Sequence, residues 1–181
     1  MKGEKFYRPE KYGYTGKIFE EDFVGSIKKS SDYQKALFEL KEKTKKGDYV
    51  GYNDALELAK KFQPWDPANP NKNFARDLRI EIIDQLGLER EEDMDRVKFY
   101  TSVGSPLDVF HGVDAFLEYT DKEGKTHRVT FDLSMNPAKD EYKADLIVKE
   151  LADPEHESEK YLEEIKETAK NAASLLPKEK K

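Results

Sequence analysis

Three segments follow one another near the middle of the chain: V-K-F-Y-T-S-V from Val97 to Val103, G-V-D-A-F-L-E-Y from Gly112 to Tyr119, and R-V-T-F-D-L-S-M from Arg128 to Met135. Their β-branched and aromatic content reads as three consecutive strands. The turn D-K-E-G-K has Gly124 available for a positive φ, so the last two segments form a hairpin centred near Glu123. In that register Asp114 stands opposite Asp132. Val113, Ala115, Leu117 and Tyr119 then share one face with Val129, Phe131 and Leu133, which suits a core. The two acids share the other face with Phe116, Glu118, Arg128 and Thr130. Opposed carboxylates roughly 5 Å apart repel, which favours a retained proton or a cation between them. The plainer alternative is a solvated sheet face on which Arg128 offsets part of the charge. Phe116 among the acids argues for a covered face, and covered acids need a partner.

Outward from this hairpin, N-F-A-R-D-L-R-I-E-I-I-D-Q-L-G from Asn73 predicts a helix with Asn73 as N-cap, an apolar stripe of Phe74, Ala75, Leu78, Ile82 and Leu86, and Gly87 as its stop. Glu81 falls about 20° outside the edge of that stripe, closer to the sheet than Asp77 or Asp84. Further upstream, Ser30 or Ser31 caps a helix running to about Lys46, and Asn53 caps another through Phe62. Residues 63–72 hold Trp65 and three prolines and read as a structured connector. Residues 1–30 mix Phe6, Tyr7, Tyr12 and Tyr14 with Lys2, Lys5, Arg8, Lys11 and Lys17, and predict an irregular basic and aromatic arm. Downstream of the hairpin come a turn with Lys139 and Lys143, a short buried strand in A-D-L-I-V, and a last helix over 156–175. The expected organisation is an arm (1–30), a helical extension with its connector (31–72), an α+β core (73–176) and a disordered tail (177–181).

The chain has 181 residues, of which 39% are charged and 36% hydrophobic, and no cysteine. That composition suits one domain with a modest core and excludes disulfides, zinc–thiolate sites and a cysteine nucleophile. No apolar run approaches the length of a membrane span, and no secretory signal is legible, so a soluble cytoplasmic protein is expected. The net charge of −6 is unevenly spread: residues 62–136 carry 15 Asp and Glu against 9 Lys and Arg, whereas residues 1–61 carry 11 against 14. Acidity that peaks around the hairpin is the direction a metal site requires and the opposite of a plain DNA-binding face. The three histidines show no metal-ligand spacing, and no phosphate-binding glycine loop is present. His111, beside Gly112, is a candidate for the neighbourhood of a phosphate.

The order helix, three antiparallel strands, short connection, strand, helix over residues 73–150, together with Glu81, Asp114 and Asp132 on those elements, resembles the PD-(D/E)XK, or restriction-endonuclease-like, nuclease superfamily. The resemblance implies a metal-dependent nucleic-acid phosphodiester hydrolase in which Glu81, Asp114 and Asp132 hold Mg²⁺ or Mn²⁺. Asp108, in G-S-P-L-D, is the alternative to Asp114. Ser134 stands where the family carries a lysine that positions water, and Lys139 or Lys143 is the implied substitute. Lys143, His111, Ser134, Arg8 and Lys11 are the expected substrate contacts. The implied partner is nucleic acid, with DNA favoured over RNA and a homodimer or protein partner also compatible. A non-catalytic relative that binds nucleic acid or protein is the alternative.

Overall fold

The hairpin forms in the expected register. In a computed structural model, which describes residues 16–44, 47–136 and 143–178, Ala115 pairs with Phe131, Leu117 with Val129 and Thr120 with Thr126. Gly124 takes φ +82°, and Asp121 Oδ1 accepts hydrogen bonds from the Glu123 and Lys125 amides, closing the turn. The described residues form seven helices and four strands. These are α1 (Gly16–Val24), α2 (Ser31–Thr44), α3 (Tyr52–Lys61), α4 (Asn73–Gln85), α5 (Glu91–Met94), β1 (Val97–Thr101), α6 (Pro106–His111), β2 (Ala115–Thr120), β3 (Thr126–Ser134), β4 (Leu146–Lys149) and α7 (Ser158–Ser174). The fold is α+β, with one mixed sheet in the order β1-β2-β3-β4; β4 runs parallel to β3 and the other pairs are antiparallel.

Both faces of the sheet are covered: one is lined by apolar residues, while the other buries Phe116 and Tyr100 together with the polar Glu118, Thr130 and Asp132. Ala115, Leu117, Tyr119, Val129, Phe131 and Leu133 pack against α4 and α7 through Phe74, Leu78, Ile82, Ile165 and Ala169. Each fully buried Leu or Phe contributes about 1.5–3 kcal/mol by leaving water. On the other face Tyr100 stacks on Phe116 at 4.8 Å, beneath Ala55, Leu56 and Ala59 of α3 and Leu107 of α6. Val113, expected on the first face, belongs to this second cluster, since it precedes β2.

Residues 63–72 guard the open edge of β1. The Pro67 carbonyl accepts from the Phe99 amide at 2.9 Å, and the Gln63 carboxamide pairs with both the N–H and the C=O of Thr101. α3 packs on the same sheet through Ala55, Leu56 and Ala59.

Three helices depart from the sequence reading, the shortest being α5, which no sequence pattern announces. Residues 16–24 are helical instead of irregular: Phe19 and Phe23, one turn apart, meet at 4.5 Å with their rings tilted, and Phe23 meets Phe74 of α4 at 5.4 Å. Residues 106–111, between the first two strands, form α6. Ser105 Oγ caps it by accepting from the Leu107 amide, Pro106 occupies its first turn, and Gly112 ends it in the left-handed region. No helix among the described residues is long and apolar enough to cross a membrane.

Candidate metal centre

α6 and the start of β2 bring two acids together. Asp108 sits in the first turn of α6, where its Oδ2 accepts from the Gly104 amide at 2.7 Å. Asp114 enters β2 with its backbone fixed on both sides: its N–H donates to the Phe131 carbonyl and its carbonyl accepts from Ser102 N–H. Its Oδ2 accepts from the Leu133 amide at 2.7 Å, and the residue lines a cleft. The third acid is Glu20 of α1. That helix is anchored to the end of β1, where the Ile27 amide donates to the Val103 carbonyl and Thr101 Oγ1 donates to the Gly25 carbonyl. One carboxylate oxygen from each of Glu20, Asp108 and Asp114 lies within 4.8 Å of the others.

Asp132, Ser134, Asn136, Gly16 and Gly112 line the same cleft, whose volume is about 370 Å³. Asp114 and Asp132 are each only 5% exposed, so the covered-face reading holds. Burial, reinforced by the charge of Glu20 and then by Asp108 and Asp132, pushes the Asp114 carboxyl up to about 8, with the Leu133 amide opposing. Burial also raises Asp108, against the Gly104 amide, a hydrogen bond shared with Asp114, and the charges of Lys17 and Lys29.

The remaining buried acid of this face shows the contrast. Glu118 receives Arg128 Nη2 at 2.6 Å and Lys60 Nζ at 2.9 Å, so its charge is matched inside the fold. Arg128, expected to offset the aspartates, serves Glu118 instead. The carboxylates around Asp114 raise its protonation, a conflict that either a proton or a cation resolves.

Asp108 and Asp114, read as alternatives, are neighbours. Ser134 lines the cleft as expected. Glu81 does not reach it. Its helix packs on the opposite face of the sheet, so a residue at the edge of that stripe remains on the wrong side, and the carboxylates that act on Asp114 are Glu20, Asp108 and Asp132. Glu20 takes the place foreseen for Glu81. His111 does not line the cleft; its Nε2 lies 2.9 Å from the Val50 carbonyl oxygen and its ring sits between Tyr49 and Tyr52. Lys143 stands at the rim, its stem beside Gly112 and its ammonium 3.4 Å from the Phe110 carbonyl oxygen. Arg8, Lys11 and Lys139 lie outside the described residues. Sequence reasoning missed Glu20, and also Lys17 and Lys29, the cations that act on Asp108. Lys29 reaches it across Gly104, where a Cβ would stand 3.0 Å from the ammonium.

No protein-family model, no curated protein and no solved structure matches the chain.

Proposed function

We propose that the chain is a metal-dependent nucleic-acid phosphodiester hydrolase related in design to the PD-(D/E)XK nucleases, with Glu20, Asp108 and Asp114 as ligands of a divalent cation and Asp132 beside them. The observation that carries this reading is the convergence of three carboxylate oxygens within 4.8 Å in a cleft that also holds Asp132. An all-oxygen, all-anionic donor set fits a hard cation, Mg²⁺ or Mn²⁺, and does not fit a soft one. Such an ion would supply a water of lowered pKa and would offset charge on a phosphate.

The protein's own residues do the rest. The Leu133 amide fixes the direction of Asp114, and the Gly104 amide fixes Asp108. Lys17 and Lys29 contribute positive charge at the side of Asp108, which moderates the repulsion a polyanion would meet there. Ser134 and Asn136 offer hydroxyl and amide donors from the cleft wall for non-bridging phosphate oxygens. The element order α4, β1, β2, β3, β4, α7, with the short α5 and α6 inserted before β1 and β2, supports the kinship; the inserted α6, the acid from α1 and the serine at position 134 depart from it.

Ser134 in the cleft favours a second reading, in which the site binds cation and nucleic acid without cutting. Incubation with Mg²⁺ or Mn²⁺ and plasmid, single-stranded DNA or RNA separates the two. Cleavage abolished by EDTA and by Asp114→Ala with Asp132→Ala establishes the hydrolase. Cation binding without cleavage of any substrate establishes the second reading, and neither binding nor cleavage refutes both.

A further inference from the structure

We propose that the aromatic cluster at the C-terminal end of α6 is a stacking platform for an unpaired base, so that the nucleic acid engaged by the acidic cleft is single-stranded; this rests on the function proposed above. Tyr49 meets Phe110 at 5.5 Å and His111 at 5.7 Å, and Tyr52 meets His111 edge-on at 5.4 Å. The His111 contact to the Val50 carbonyl holds the central ring in place. Yet Tyr49 remains 42% and Tyr52 37% exposed, beside Val109 at 68%. A rigid, half-wet aromatic surface on a chain that is 39% charged is a place where another flat apolar group gains by leaving water.

Its position suggests the occupant. Asp108 and Gly112 line the cleft, and Phe110 and His111 lie between them in sequence, so the platform belongs to the same short helix as Asp108 but to another side of it. Lys143 bridges the two, with its stem beside Gly112 and its ammonium near the Phe110 carbonyl. Acidic cleft, ammonium and aromatic surface in that order correspond to the alternation of phosphate and base along one strand. In a duplex the base faces are already stacked on one another, whereas an unpaired base offers its face to a tyrosine ring.

The test is fluorescence anisotropy with a short labelled oligothymidylate and a matched duplex in Ca²⁺. The comparison is wild type, Tyr49→Ala with Tyr52→Ala, and Tyr49→Phe with Tyr52→Phe; Mn²⁺ binding to each is measured by calorimetry. The expected result is single-strand affinity weakened roughly five- to hundredfold by the alanine pair, retained by the phenylalanine pair, with duplex affinity and Mn²⁺ binding unchanged. Equal losses on both nucleic acids, no preference of the wild type for the single strand, or self-association abolished by the alanine pair would overturn the platform. A wild type that binds Mn²⁺ but shows no ring-dependent binding overturns the platform alone. A wild type that binds no Mn²⁺ overturns the metal site and the platform with it.

Discussion

Replacing Asp114 by Asn acts in two opposite directions: it stabilises the metal-free protein as the pH rises, and it removes divalent-cation binding. Burial and the surrounding carboxylates push Asp114 up to about 8, whereas an unfolded Asp titrates near ~3.9. Between roughly pH 4 and 8 the folded state keeps a proton that the unfolded state has released. Stability therefore falls as the pH rises through that window, by at most about 1.4 kcal/mol per unit, and is level above it. Asp114→Asn retains an acceptor for the Leu133 amide and has no proton to exchange, so this slope disappears. Between pH 5 and 7 the variant gains about 3 kcal/mol on the wild type, which for a chain of this length is roughly 6–12 °C in Tm. Thermal unfolding followed by circular dichroism in EDTA, at unit steps from pH 5 to 8, reads the difference directly. Mn²⁺ raises the wild-type Tm, and more so at higher pH because the proton competes with the cation; the variant shows no rise. Parallel pH profiles in EDTA would refute the buried protonated carboxyl, and a retained Mn²⁺ effect in the variant would refute the cation site.

Four further outcomes follow from particular contacts. Glu20→Gln weakens Mn²⁺ binding at least tenfold while Glu81→Gln leaves it unchanged, as calorimetry will show; the reverse would restore the glutamate of α4 to the site. Glu118→Ala strands Arg128 and Lys60 and costs about 2–3 kcal/mol in urea unfolding, at the lower end for a broken buried pair because both cations remain 28% exposed. Gly25→Ala costs about 2–4 kcal/mol and shifts the Trp65 emission, since Gly25 has φ +64° and a Cβ would lie 2.4 Å from the indole ring. Ser105→Ala removes the cap of α6, costs about 1 kcal/mol, and lowers cation affinity because Asp108 rides on that helix's first turn.

The features legible before folding were those with local physical causes. The hairpin register follows from a turn glycine and from the alternation of apolar residues, and a slip of one residue would have put Phe131 and Leu133 on the wrong face. α4 was legible because Phe74, Leu78 and Ile82 repeat at helical spacing. Its first residue was read as its cap, whereas the cap is Lys72, an error of one position. α6 was missed because six residues are too few for a period to emerge, although Ser105 followed by Pro106 is a helix-start signal that could have been used. α1 was missed because Gly13 and Gly16 interrupt the pattern, while its helix rests on Phe19 and Phe23 docking against Phe74.

The sequence by itself determined that Asp114 and Asp132 would share a sheet face, because strand periodicity and turn geometry act between near neighbours, and Phe116 among the acids argued for a covered face while leaving a solvated one open. It also determined the α+β class, through three strands placed between helical stretches. Only the tertiary structure decided which acids converge on Asp114, namely Asp108 and Glu20. Glu20 and Glu81 are both glutamates of helices, but local periodicity announces only the helix of Glu81 and so points to the wrong one. The difference is that α4 buries its stripe against the far face of the sheet, while α1 is tied by Thr101 and Val103 to the end of β1, beside the cleft. Contacts between residues that distant in the chain depend on how whole apolar faces pack, a quantity that no short window of sequence contains.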